Sequence, residues 1–248
     1  VKESFELPFV SDINDYYHSL RLVNEAVLEL SRNGLGPVQL CVPWLDFPLE
    51  NVKPAIKTIR SFRADSISSE NLLNKKILIV IGEHLPFSSE EKNAINEFCE
   101  KTNSVVYVNH LSNFKNDYSV EGNLFLLTSN FASIKEVAPD IIISIGGQTG
   151  DYPFYLAFSR NNLEGIEHWR ICDDGKVVDT YDKLTRVYQG GIIEFFNSVN
   201  SECLNHTFYE LWNNKISGME TNLSVPFSQV SIAQYLHDKI PSNSIMQF

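Results

Sequence analysis

The chain is poor in the features that mark a self-sufficient catalyst, and each absence excludes a class of chemistry. Its four cysteines, Cys41, Cys99, Cys172 and Cys203, form no Cys-x-x-Cys pair, so neither a zinc clasp nor a dithiol motif is present. Isolated thiols in apolar or helical surroundings instead point to free cysteines in a reducing, cytoplasmic setting. The six histidines, His18, His84, His110, His168, His206 and His237, show neither His-x-x-x-His nor His-Glu-x-x-His spacing, and no metal site is expected. No Gly-x-Ser-x-Gly elbow supports hydrolase chemistry. Positive charge is scarce: 20 Lys and Arg against 31 Asp and Glu give a net charge of −11 with no basic stripe, which argues against a nucleic-acid partner. No apolar run approaches the roughly 20 residues of a membrane span, and no signal-peptide pattern is found.

What is present is enough for a full core. With 248 residues, 43% of them hydrophobic, the chain accommodates one main domain with appended segments. It is organised around Pro139 to Asp174. The unbroken run Ile141-Ile142-Ile143-Ser144-Ile145 reads as a strand buried on both faces and stops at Gly146-Gly147. Tyr152, Phe154, Tyr155, Leu156 and Phe158 follow at helical spacing, and His168-Trp169-Arg170-Ile171-Cys172 is a second β-like run. Strand, turn, helix and strand make a βαβ unit, whose ligand sites lie at the carboxyl ends of its strands.

The flanking chain repeats this alternation. A helix over about residues 14–33 ends at Gly34 and Gly36, and Gly36 to Pro43 is a short β run between prolines, as in the last strand of a sheet. Residues 44–74 lack periodicity. Ile77 to Ile81 open the main domain, Ser88-x-x-Glu91 matches a capping box, and Val105 to Val108 form the next strand. Leu124 to Leu127 fit either a short strand or a helix. Leu184 to Tyr188 are the last strand, with helices expected over 192–200, 207–215 and 228–238. Strands near residues 77, 105, 141, 168 and 184 separated by helices predict a doubly wound, Rossmann-like α/β fold, with a parallel sheet covered on both faces.

Gly146, Gly147 and Asp173 are the candidate nucleotide site, with backbone amides at the turn and a carboxylate at the end of the following strand. The spacing Gly-Gly-x-x-Gly departs from the dinucleotide fingerprint, and Asp151 and Tyr152 bring charge and bulk to the helix start. The plainer reading is a tight βα turn without a ligand; the richer one is a free-standing Rossmann-like nucleotide-binding module.

Four segments, in order, carry a resemblance. Val1-Lys2-Glu3-Ser4-Phe5-Glu6-Leu7-Pro8 is similar to a Lys-x-Ser-x-Glu-Leu-Pro stretch near the end of the pyrimidine-binding domain of thiamine-diphosphate enzymes, and Gly36-Pro37-Val38-Gln39-Leu40-Cys41-Val42-Pro43 to the segment that closes it. Pro139 to Phe158, His168 to Asp174 and Thr185-Arg186-Val187 resemble the central domain. Pro241-Ser242-Asn243-Ser244 resembles the start of the diphosphate-binding domain. Order and spacing match the 2-succinyl-5-enolpyruvyl-6-hydroxy-3-cyclohexene-1-carboxylate synthase family of menaquinone synthesis.

The resemblance implies a domain plan. Residues 1–50 end a pyrimidine-binding domain, 51–74 are a linker, 75–225 are the central α/β domain, and 226–248 begin a diphosphate-binding domain. The family's activating glutamate and its Gly-Asp-Gly…Asn magnesium segment are missing from the chain. The resemblance therefore implies no catalytic residue, cofactor or metal here, with thiamine diphosphate and Mg2+ held by a full-length parent, a transferase or lyase. Both ends read as cut ends of a domain fragment. Its partners would be the missing domains of the same polypeptide, in a homodimer or homotetramer, with docking surfaces at Phe5, Leu7, Phe9, Trp44, Phe47, Ile245 and Phe248. Family positions that bind substrate map onto Tyr152, Asn243 and Ser244. Where the family carries two carboxylate-binding arginines this chain has Tyr152 and Phe248, neither of which offers a guanidinium fork, so a different acceptor is expected.

Overall fold

Seven strands form one parallel sheet in the order β3-β9-β8-β7-β4-β5-β6. They are β3 (Arg60–Arg63), β4 (Ile77–Ile81), β5 (Ser104–Tyr107), β6 (Ser119–Val120), β7 (Ile141–Ile145), β8 (Glu167–Cys172) and β9 (Leu184–Gln189). The computed structural model describes residues 1–44, 57–67, 72–159, 163–199, 205–219, 224–237 and 239–244. Contacts divide the chain into two units, Val1–Ser217 and Gly218–Phe248. The second contains α8 (Gln229–His237), none of whose residues is buried.

Every residue of β4, and all of β7 except Ser144, is buried, which a strand achieves only when both its faces and both its edges are covered. β4 meets both needs by pairing with β5 on one side and β7 on the other. From β4 the chain steps outward to β5 and β6, then returns to β7 and continues to β8 and β9. The order therefore reverses between β4 and β7, where an open α/β sheet leaves a crevice at its carboxyl edge.

Strand alternation distributes the core. Ile77, Ile79, Ile81, Ile141, Ile143, Ile145, Trp169 and Ile171 pack with Ile95, Phe98 and Cys99 of α2 (Ser89–Lys101) and Phe195 and Phe196 of α6 (Ile192–Asn197). In a second aromatic cluster, Tyr107 meets Phe154 of α5 (Tyr152–Phe158) and Trp212 of α7 (Thr207–Ser217). Burying each such aromatic contributes about 1.5–3 kcal/mol. The Ser88 and Glu91 capping box starts α2 as its sequence predicts, with the Ser88 amide donating to Glu91 and the Glu91 amide to Ser88 Oγ.

Two expectations are corrected and one left open is decided. The stretch 51–74 is not wholly a linker: β3 pairs with β9 as an edge strand, and its Arg-Ser-Phe-Arg sequence is too polar to show as a core run. Leu124 to Leu127 belong to a helix, α3 (Asn123–Thr128), followed by α4 (Phe131–Glu136). Phe5 is buried at 9% exposure rather than offered as a docking surface, whereas Phe9 and Trp44 are exposed. Phe47, Ile245 and Phe248 lie outside the described residues.

The amino-terminal segment is held by specific polar contacts. β1 (Ser4–Glu6) pairs in parallel with β2 (Gln39–Cys41), and α1 (Ile13–Glu29) begins with a capping box between Asp12 and Asp15. The Lys2 ammonium donates to the carbonyl of Glu29, the last residue of α1, and to that of Gly34 beyond it, and Asn24 bridges the helix to the backbone of Lys57 and Ile59. Arg32 donates to the Asp174 carbonyl, fastening the segment to the β8 end of the sheet.

Two buried polar groups have measurable consequences. Asp151, 4% exposed, accepts from the Tyr107 hydroxyl, the Asn123 amide and the Phe154 N–H, and so joins β5, α3 and α5. Asp151→Ala should cost about 3 kcal/mol in urea unfolding, because a helix cap is lost and the buried Tyr107 hydroxyl is orphaned; Asp151→Asn should cost clearly less. His168 is fully buried, with Nε2 2.7 Å from Ser144 Oγ and Nδ1 3.8 Å from Asp179 Oδ1, too far for a hydrogen bond. Burial lowers its pKa against the pull of Asp179, with Arg170 and Lys57 adding to the lowering. The neutral form is thus the folded form, and the unfolded chain binds the extra proton. Stability from this group is complete above about pH 6.5 and falls below it by up to about 1.4 kcal/mol per pH unit. Unfolding midpoints measured from pH 8 to pH 5 should show this slope, and His168→Gln should flatten it.

Candidate functional site

The carboxyl edge of the sheet holds a crevice of about 400 Å³, formed where the chain leaves β4, β7, β8 and β9. His84 comes from the β4 end, Gly146 and Gly147 from β7, Arg170 to Asp174 from β8, and Gly190 and Ile192 from β9. Gly146, Gly147 and Asp173 all line this crevice.

The glycines are explained by how closely two loops approach. The Gly82 amide donates to Ile145 O at 3.0 Å, Glu83 N to Gln148 O at 2.9 Å, and Gly147 N to Glu83 O at 2.8 Å. A Cβ on Gly82 would lie 2.2 Å from the Gly147 carbonyl oxygen; one on Gly146, whose φ is +80°, would lie 2.6 Å from the Glu83 carbonyl oxygen. Only glycine tolerates this geometry. The Gly147 amide is committed to Glu83, and the first turn of α5 is capped by the protein's own Asp151 carboxylate.

Arg170, one residue of the β-like run His168 to Cys172, is the cationic group of the crevice. Its Nη1 reaches Gly146 O at 3.5 Å, the outer limit of a hydrogen bond, and its buried Nε has no partner among the described residues. Asp173 is exposed at the rim, where Gln189 engages its backbone carbonyl. Partial burial opposes ionisation of Asp174, yet the Lys176 amide, the Cys172 thiol and Arg170 together hold its carboxyl below the usual range. Burial pushes the Cys172 thiol upward. His84 stacks on Phe87 with ring centroids 4.0 Å apart, and its Nδ1 lies 2.6 Å from Leu85 O. That contact assigns the proton to Nδ1 and leaves Nε2 as an acceptor. The crevice therefore presents one donor fork and two acceptors, an arrangement suited to binding.

Tyr152 is the first residue of α5, exposed and stacked on Tyr155, and it lines an apolar groove with Leu127, Phe131 and Leu156. Asn243 and Ser244 are exposed in the second unit, where the Ser244 amide donates to Pro241 O and Asn243 Oδ1 accepts from Ser242. A hollow of about 290 Å³ between α1 and the segments leading into β3 and β9 faces the amino ends of the strands, away from this crevice. Among the described residues, no three His, Cys, Asp or Glu side chains are placed to hold a metal ion. No helix among them is long and apolar enough to cross a membrane. The sequence signal for Arg170 was available: a lone cation inside an apolar β run, alternating with His168 and Cys172 onto one face.

No protein-family model matches the chain. The 2-succinyl-5-enolpyruvyl-6-hydroxy-3-cyclohexene-1-carboxylate synthase of Bacteroides thetaiotaomicron is 26% identical over 218 residues, 80% of this chain and 38% of that protein. The enzyme of the same name from Phocaeicola vulgatus is 27% identical over 221 residues, 80% of this chain and 37% of its own length. That of Bacteroides fragilis is 23% identical over 266 residues, 98% of this chain and 46% of its own length. The chain thus spans less than half the length of the curated relatives it matches. A solved benzoylformate decarboxylase from Polynucleobacter necessarius is 17% identical and covers 84% of this chain and 40% of its own, with a TM-score of 0.32, too low to carry an argument. The sequence thus resembles a thiamine-diphosphate enzyme family, that of the 2-succinyl-5-enolpyruvyl-6-hydroxy-3-cyclohexene-1-carboxylate synthases.

Proposed function

We propose that this chain is the central, non-catalytic portion of a larger thiamine-diphosphate-dependent carboligase or decarboxylase. The observation that carries the reading is the coverage of the relatives: similarity runs through 80–98% of this chain but only 37–46% of theirs. In this reading the sheet supports flanking pyrimidine- and diphosphate-binding domains of the same polypeptide, in a cytoplasmic homodimer or homotetramer. Thiamine diphosphate and Mg2+ would be held by those domains, with this portion positioning them.

The amino-terminal segment supports this division. Parallel strands are normally covered on both faces and seldom stand as a pair. Here the pair β1 and β2 carries Leu40, Val42 and Trp44 outward, with Trp44 89% exposed. A parallel pair with apolar residues facing water fits the margin of a further sheet supplied by flanking chain. Tyr152 supports a change of acceptor, since its exposed phenol cannot provide the bidentate carboxylate contact of an arginine. The family's second arginine position falls at Phe248, outside the described residues.

Calorimetric titration of thiamine diphosphate with Mg2+ tests the proposal, comparing the 248-residue chain with a polypeptide extended through the flanking coding sequence. The extended protein should bind the cofactor and the shorter chain should not. Stoichiometric binding to the shorter chain, or none to the extended protein, would overturn the assignment.

A further inference from the structure

We propose that the crevice around Arg170 binds a phosphorylated sugar, with the phosphate on the Arg170 guanidinium and vicinal hydroxyls on Asp173 and His84. This assignment rests on the crevice itself and stands apart from the thiamine-diphosphate reading.

Three observations lead to it. The Arg170 guanidinium makes one direct hydrogen bond among the described residues, the long contact from Nη1 to Gly146 O at 3.5 Å, and Asp174 acts on it only through charge, so its terminal nitrogens are open to an oxyanion. An oxyanion satisfies such a fork better than any neutral acceptor. The Asp173 carboxylate at the rim has no side-chain partner among the described residues, and His84 keeps Nε2 as an acceptor because Nδ1 faces Leu85 O at 2.6 Å. Finally, the space of about 400 Å³ lined by these groups and by Ile145, Ile171 and Ile192 falls in the size range of small-molecule sites.

Charge narrows the ligand class. A bare anion on Arg170 would meet Asp173 and Asp174 on the same wall, and their repulsion offsets its attraction to the guanidinium. A ligand that carries hydroxyl donors beside its oxyanion turns those carboxylates into partners. The shared chemistry is a phosphate near a diol, found in both a free sugar phosphate and a nucleotide. The Gly146-Gly147 turn is not the phosphate cradle in this arrangement, since the Gly147 amide is spent on Glu83.

Thermal unfolding of the 248-residue chain would be followed with ribose 5-phosphate, AMP, ribose and inorganic phosphate, each at 10 mM, a level set at about 100 times a dissociation constant of about 0.1 mM. Ribose 5-phosphate should raise the midpoint by several degrees, and ribose or phosphate alone by less than a third as much. An AMP shift equal to or above that of ribose 5-phosphate assigns the site to a nucleotide, and a smaller one assigns it to a free sugar phosphate. Arg170→Gln should abolish the shift. Asp173→Asn, a change at an exposed side chain that leaves folding intact, should reduce it at least threefold. The proposal is overturned if neither phosphorylated ligand shifts the midpoint, if inorganic phosphate matches them, or if the Asp173→Asn chain responds as the parent does.

Discussion

The pairing of β4 with β7 is the constraint on which the sheet depends. Five registered pairs, Ile77 with Ile141 through Ile81 with Ile145, place two apolar strands side by side in the interior. Neither strand can lie at an edge without exposing both apolar side chains and unpaired backbone groups, so β5 must cover one side and β8 the other. The same pairing brings the following loops so close that Gly82 and Gly146 admit no side chain. The reversal of strand order, the glycine turn and the position of the crevice all follow from this one contact.

Polar groups are then arranged around an apolar ladder that leaves them little room. Asp151 is accepted into the interior because three donors satisfy it, and in doing so it fixes the angle at which α5 leaves the sheet. His168 is accepted as a neutral ring against Ser144. Arg170 is the exception, a half-buried cation whose fork the surrounding backbone barely engages. An incompletely satisfied charge at the carboxyl edge of a parallel sheet is where a ligand would find the most favourable exchange of partners.

How much of this the sequence made legible follows from burial. β4 and β7 were readable because both faces are covered and the apolar run is unbroken, and α2 because its capping box is local. β3 and β6 were not, since an edge strand with one aromatic and a strand of two residues leave no periodic trace. Asp151 read as an obstruction beside a glycine turn; its partner Tyr107, 44 residues away, is what makes it a structural cap. Gly146, Gly147 and Asp173 were found from strand ends, but the orphaned Nε of Arg170 depends on what neighbouring strands fail to offer. Tyr152 lies a few residues from the crevice in sequence, yet helix geometry sets it on a separate apolar groove.

The central claim, that this fold is the middle of a thiamine-diphosphate enzyme, is tested most directly by reading the coding sequence on both sides of the segment. The account predicts an upstream domain bearing the activating glutamate and a downstream Gly-Asp-Gly followed by an Asn. A stop codon close behind the Phe248 codon, or flanking sequence without either motif, would contradict it.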